Sequence, residues 1–284
     1  MNKNFSLKSR MESYENVTNS YLTKRVPVLI RIDGRSFHTF TKKFNKPFDE
    51  IFMNTMQNTM SYLCSNIQNC VFAYTQSDEI TLVLIDYQSI DTDAWFDYRV
   101  QKLCSVSASM ATMAFNKFFK ENVWAWTAEQ NLAPIDYFND DKDINVLNLK
   151  EIYFNAIEQG AMFDARCFNI PKEEVVNALI YRQQDCTRNS IQMLAQSEFS
   201  HKELQGKNQS QLQDMLMLER GINWNDLDTY KKRGSCCIKE EIQDPEVDIK
   251  DGPYTMTKWT LDLNPPIFTK DRNYIERFIY LNDK

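Results

Sequence analysis

Apolar and polar positions along the chain follow two periods. Val26 to Ile32 is a nearly continuous apolar run, which predicts a strand buried on both faces. Asp33-Gly34 ends it, the glycine permitting a tight turn. Pro47 can open a helix, and Phe48, Ile51, Phe52, Met56, Met60, Leu63 and Ile67 then recur at helical spacing over 48–68. Val71 to Ile85 reads as a strand–turn–strand unit with Gln76-Ser77-Asp78-Glu79 at its tip. A second long helix is expected over 92–120, through Trp95, Leu103, Val106, Ala111 and Phe115. The order is β-α-β-β-α, and Met162 to Ile170 supplies the strand that would close a ferredoxin-like unit.

Around that unit the pattern is less regular. Residues 1–25 predict a short helix. Residues 121–160 read as an irregular insertion, with an acidic stretch at Asp136, Asp140, Asp141 and Asp143. Pro171 opens a helix through Val175, Leu179, Ile191 and Leu194, and another follows at Gln209–Leu218. Ser235 to Glu240 and Tyr254 to Leu261 predict a hairpin, and Arg272 to Leu281 a closing helix. The expected organisation is an α/β (α+β) domain with an antiparallel sheet over 1–170, and a helical and hairpin region over 171–284.

Composition narrows the chemistry. The 284 residues are 43% hydrophobic and 25% charged, a globular balance. No apolar run reaches the roughly 18 residues of a membrane span, and residues 1–6 have no apolar core, so a cytoplasmic protein is expected. The 7 Cys form no CxxC and there are only 2 His, so oxygen ligands are what the chain offers a metal, which favours Mg²⁺ or Mn²⁺. The net charge of −6 argues against a surface coated in nucleic acid but leaves room for a local basic groove.

The candidate chemistry lies at two strand ends. Carboxylates such as Asp33 and Asp78, fixed by one sheet, can share a pair of Mg²⁺ ions about 3.5–4 Å apart, the working part of a palm-type nucleotidyltransferase. By spacing alone Asp33 is also an ordinary turn former before Gly34, and Asp78-Glu79 an ordinary hairpin tip. Arg35, Lys42, Lys43 and Lys46 make the loop after the first strand basic. Arg182, Asp185 and Asn189 fall at i, i+3 and i+7, a polar helix stripe suited to RNA contacts or simply to solvent. Lys231, Lys232 and Arg233 form a compact basic patch beside Gly234.

Arg31-Ile32-Asp33-Gly34-Arg35-Ser36-Phe37-His38, Lys46-Pro47, Tyr74 to Ile80, Phe163-Asp164-Ala165-Arg166 and Tyr181-Arg182-Gln183-Gln184-Asp185 together resemble the tRNA-His guanylyltransferase family with its Thg1-like members. The likeness runs from about Val26 to about Gly234, with the motifs in the family's order. It implies a palm domain like that of DNA polymerases that adds nucleotides to the 5′ end of tRNA. ATP would first adenylylate a 5′-monophosphate, and the 3′-hydroxyl of an incoming NTP, GTP among them, would then displace AMP. Asp33, the Gly34 carbonyl and Asp78 would bind two Mg²⁺, with Glu79 beside them.

The resemblance also assigns nucleotide and phosphate contacts to Arg31, Arg35, Ser36, Phe37, His38, Lys46, Ser77, Arg99 and Lys102. It assigns tRNA contacts to Arg182, Asp185, Arg188, Asn189, Lys231, Lys232 and Arg233, and implies a homotetramer. Members dedicated to tRNA-His carry His-Ile-Asn-Asn-Leu just after the Arg-Gln-x-Asp string, where this chain has Thr187-Arg188-Asn189-Ser190-Ile191. The chain therefore resembles the Thg1-like branch, which repairs truncated tRNA 5′ ends against the opposing strand. Addition of a single G to tRNA-His, or another palm reaction such as nucleotide cyclisation, are the alternatives.

Overall fold

The structure is a computed structural model that describes residues 6–130, 132, 144–243 and 255–281. In chain order the elements are α1 (Leu7–Asn16), β1 (Val28–Gly34), α2 (Phe37–Phe40), α3 (Glu50–Asn66), β2 (Cys70–Gln76), β3 (Glu79–Leu84), α4 (Val100–Glu129), α5 (Ile144–Gln159) and β4 (Phe163–Asn169). Then come α6 (Lys172–Glu198), α7 (His201–Leu204), α8 (Gln209–Arg220), α9 (Thr229–Arg233), β5 (Ser235–Gln243), β6 (Thr255–Asp262) and α10 (Asn273–Ile279). The strands form one antiparallel sheet in the order β4-β1-β3-β2-β5-β6. The first four strands and the helices α3 and α4 give the expected ferredoxin-like unit, and the C-terminal hairpin extends the same sheet through β2.

Both sheet faces are covered, which explains the continuous apolar runs of β2 and β3, whose residues are all buried. On one face α3 and α4 pack Met56, Met60, Leu63, Leu103 and Phe115 onto Ile30, Ile32 and Leu82. On the other, α6 and α10 pack Val175, Leu179, Ile275 and Ile279 onto Leu29, Phe72 and Val83. The second half of α6 leaves the sheet and joins α8 in a smaller core of Leu194, Leu212, Leu216 and Trp224.

The irregular insertion expected over 121–160 is corrected. α4 continues to Glu129, because Phe115, Phe119, Val123 and Thr127 keep one buried stripe at helical spacing. α5 follows and buries Tyr153 and Ala156 against it. The acidic stretch at Asp136, Asp140, Asp141 and Asp143 lies outside the described residues. Among the described residues no helix is long and apolar enough to cross a membrane.

Candidate active site

Strand register brings the two acidic tips together. Asp33 stands opposite Glu79 on β3 and Asp164 on β4. The Gly34 amide donates to the Asp78 carbonyl at 3.0 Å, tying the end of β1 to the β2–β3 turn. That turn is a two-residue hairpin, with Gln76 paired to Glu79 and Ser77 at φ 50°. The Ser77 hydroxyl donates to Asp78 Oδ1 at 3.0 Å. Gly34 has no room for a side chain: a Cβ would lie 2.3 Å from the Phe37 ring.

Residues paired across antiparallel strands project to the same face, so the register creates rows. One row runs Asp164, Asp33, Glu79, Gln76; the next runs Arg166, Arg31, Thr81, Tyr74. Carboxylates thus face guanidiniums: Arg166 Nη2 lies 3.8 Å from Asp33 and Arg31 Nε 3.7 Å from Glu79. Arg182 reaches down from α6 to Glu79 at 2.8 Å and also holds Asp185 at 2.9 Å. Burial raises the Glu79 pKa, and Arg182 and Arg31 counter it. Burial also raises the Asp78 pKa, the Ser77 hydrogen bond opposes this, and the charge of Asp33 adds to the rise.

Asp33, Gly34, Ser77 and Asp78 open onto a cavity of about 540 Å³, between the β1–α3 loop, α6 and α9. Ser36, His38 and Lys46, expected at the nucleotide, and Asn189 and Lys231, expected at the tRNA, also line it. Phe37 contributes an edge, but its ring is buried among Phe40, Phe52, Phe115 and Phe163, so it is chiefly a core residue. Other lining residues were not foreseen: Met53, Met56, Gln57, Cys186, Met193 and Ser235. Gln57 is buried and its Nε2 donates to Ser235 Oγ at 3.0 Å. The available signal was a lone amide at i+4 from Met53 and i−3 from Met60, on the apolar face of α3.

Several predicted residues lie elsewhere. Arg99 caps α4 beside Tyr21, where Val100 N bonds Ser20 O and Cys167 Sγ approaches Val100 O. Cys167 pairs with Ile30, and α4 reaches the Phe163 end of β4 only at Thr112. Arg99 and Lys102 therefore sit toward the opposite end of β1 from Asp33, and this chain's own fold does not bring them to the cavity. Arg35 is exposed outside it. Arg182 and Asp185 are committed to the internal ion lattice rather than to solvent, and Arg188 is exposed and paired with Asp185.

The basic patch is likewise divided by its contacts. Lys231 holds Glu50 at 2.6 Å and Asp228 at 3.0 Å. Burial opposes its charge, but the hydrogen bonds it donates to Glu50 and Asp228 outweigh that and raise its pKa. Lys232 is buried, donates to the Asn225 carbonyl, and has its pKa lowered by burial.

Among the described residues no cluster of three or more His, Cys, Asp or Glu side chains is placed to hold a metal ion. A magnesium site needs fewer, since one or two carboxylates, a carbonyl, water and substrate phosphates complete its shell. Two carboxylates whose charges oppose each other at the mouth of a cavity suit such a cation, which would relieve the repulsion.

A ferredoxin-like sheet with strand-end carboxylates over a nucleotide-sized cavity defines a palm-type nucleotidyltransferase. A family model described as tRNAHis guanylyltransferase matches residues 8–171, more than half of the chain. The chain belongs to that family. A bacterial tRNA(His) guanylyltransferase (Thg1)-like protein solved in complex with ATP is 39% identical, with a TM-score of 0.75 over 98% of this chain and 100% of that one. A second such structure, in complex with GTP, is 36% identical, with a TM-score of 0.73 over 97% and 99%. The tRNA(His) guanylyltransferase of Schizosaccharomyces pombe is 29% identical over 76% of this chain and 74% of its own.

Proposed function

We propose that the protein adds nucleotides to the 5′ end of tRNA, in the 3′–5′ direction and against the opposing strand, so restoring truncated 5′ ends. In the activating step a 5′-phosphate oxygen of the RNA attacks the α-phosphate of ATP, and pyrophosphate leaves. In the second step the 3′-hydroxyl of an NTP attacks the same 5′-phosphate, and AMP leaves. Asp33, the Gly34 carbonyl and Asp78 would hold two Mg²⁺, which lower the pKa of the attacking hydroxyl and neutralise phosphate charge. Lys46, Ser77 and His38 line the cavity beside them and suit the triphosphate. Glu79 acts as the anchor that orients Arg31 and Arg182 behind the carboxylates.

The observation that carries this reading is the opening of Asp33, Asp78 and Ser77 onto one cavity. The bacterial relatives solved with ATP and with GTP support it. Assembly as a tetramer and a cytoplasmic location belong to the same proposal, by analogy with the family.

The test offers a set of tRNAs lacking the first 5′ nucleotide, with ATP, all four NTPs and Mg²⁺, and sequences the products. Addition of the nucleotide that pairs with the opposing strand, on several tRNAs, is the expected result. A single G added to tRNA-His alone would establish the dedicated guanylyltransferase reading instead. Cyclic products from NTP without RNA would overturn both.

A further inference from the structure

We infer that an open hollow beside the nucleotide cavity is a subsite for single-stranded RNA in which Arg233 holds a phosphodiester; the inference rests on the tRNA reading above. The hollow, of about 560 Å³, lies on the other side of α9. Gln184 and Thr187 of α6, Asn225 and Arg233 line it, with Ile180 and Trp224 between them. Among the described residues no Asp or Glu lines it, although acidic residues outnumber Lys and Arg 39 to 33 in the chain.

Arg233 is the only one of the three neighbouring cations with no internal commitment. Lys231 is held by Glu50 and Asp228, and Lys232 by the Asn225 carbonyl. Arg233 is half-buried and makes no ion pair among the described residues. Its main chain is pinned, because the Tyr74 hydroxyl donates to its carbonyl at 2.6 Å. The next residue, Gly234, has φ 78° and would place a Cβ 2.4 Å from the Thr75 carbonyl. A guanidinium that is partly desolvated, fixed at its base and lacking a counter-charge is prepared for a forked contact with phosphate.

The rest of the lining says what the phosphate is attached to. Side-chain amides and hydroxyls present donors and acceptors together, and Ile180 and Trp224 give apolar edges. Such a surface can bond the edges of an unstacked base, which a duplex keeps paired.

The position says which single strand is meant. The same short segment lines the nucleotide cavity with Tyr230 and Lys231 and the hollow with Arg233. α6 likewise turns Asn189 to one and Gln184 to the other. A helix is about 10 Å across, so RNA in the hollow lies within a few nucleotides of the carboxylates. The single-stranded part of a tRNA next to its 5′ end is the unpaired 3′ extension of the acceptor stem.

The test compares equilibrium binding of labelled tRNA with and without its 3′ extension to the wild-type protein, Arg233→Ala and Gln184→Glu. ATP binding in Mg²⁺ and a thermal melt are read in parallel. Gln184 is exposed, so its variant folds as the wild type does. Both variants are expected to lose about tenfold in affinity for the extended tRNA, the size of one charged contact, and little for the trimmed one. The Arg233→Ala salt dependence should shrink by about one phosphate contact. ATP affinity should hold. Equal losses on both RNAs, or no loss on either, would overturn the subsite. Loss of ATP affinity would also overturn it, assigning Arg233 to free nucleotide. A wild-type protein that extends truncated tRNAs yet binds both RNAs alike sinks this inference alone, whereas one that extends none sinks the function beneath it.

Discussion

The Gly34 amide donates to the Asp78 carbonyl at 3.0 Å, so the end of β1 and the β2–β3 turn are one rigid unit. Asp78 is one partner of that bond and Asp33 immediately precedes the other. Their placement depends on main-chain geometry rather than on any contact between their side chains. Neutralising either carboxylate should therefore abolish addition without unfolding the protein. Asp33→Asn and Asp78→Asn are expected to lose nucleotide addition by at least about 10³-fold while circular dichroism is unchanged. Near-normal addition by either variant would show that it is not a ligand.

The raised pKa of Asp78 gives a pH dependence with a definite sign. Burial and the Asp33 charge make the folded state hold the Asp78 proton more tightly than the unfolded chain does. The stabilising contribution of that proton is complete below the ordinary carboxylate range and is lost as pH rises through the raised pKa. At neutral pH the metal-free protein thus carries a partly desolvated charge beside that of Asp33. Asp78→Asn should melt at a higher temperature than the wild type at pH 7, by roughly 2–4 °C per kcal/mol recovered, and the gap should close in acid. Added Mg²⁺ should stabilise the wild type and not the variant.

Glu79 differs from its neighbour in what its charge supports. Its side chain is 7% exposed and lies against Arg182 and Arg31. Glu79→Ala would leave two guanidiniums together without an anion, at a cost of about 3–5 kcal/mol, read as a lower urea midpoint. Glu79→Gln should cost less and should keep Mn²⁺ binding, which Asp33→Asn loses. Loss of Mn²⁺ binding in Glu79→Gln with the fold intact would make Glu79 a ligand.

Much of this was legible in the chain itself. The βαββαβ order follows from periodicity, because the sheet is covered on both faces and its central strands β2 and β3 are continuously buried, while β4 alternates at the edge of that unit. The acidic tips stood out because each carboxylate directly follows or precedes an apolar run. Contacts set by tertiary pairing were not legible. Nothing local says that Lys232 is buried under Asn225, that Lys231 is spent on Glu50, or that Arg182 reaches Glu79 rather than solvent. Arg99 and Lys102 do not share a helix face as the i, i+3 spacing suggested, because Arg99 is the extended residue that precedes α4. The tail of α4 was missed because Asn122, Trp124 and Trp126 interrupt a stripe that Val123 and Thr127 in fact continue.

Gly34 faces the Phe37 ring so closely that substitutions at the two positions should be energetically coupled. Gly34→Ala puts a methyl 2.3 Å from that ring and should cost about 1–3 kcal/mol, as overpacking does. It should also displace the Gly34 carbonyl, lowering kcat as well as Tm. Phe37→Leu removes the edge of the ring. The double variant should regain part of the Tm lost by Gly34→Ala, with a coupling energy of at least about 0.5 kcal/mol in the cycle. Additive effects would mean that the ring is not what excludes a side chain there.

The two lysines of the basic patch should separate in a salt-bridge experiment, because one is paired at the cavity wall and the other is buried in it. Lys232 has 8% of its surface exposed, and its ammonium bonds a main-chain carbonyl near the face of Trp224, 5.9 Å from the ring centroid. Lys232→Ala removes the buried stem together with that bond and should lower stability by about 2–3 kcal/mol. Lys231→Ala breaks contacts to Glu50 and Asp228, whose side chains are 50% and 60% exposed, and should cost no more than about 1 kcal/mol. Its effect should fall instead on nucleotide binding, as a higher KM for NTP that shrinks in high salt, since Lys231 lines the cavity. If Lys232→Ala melts like the wild type and weakens RNA binding instead, its ammonium faces solvent and the buried contact with Asn225 is wrong.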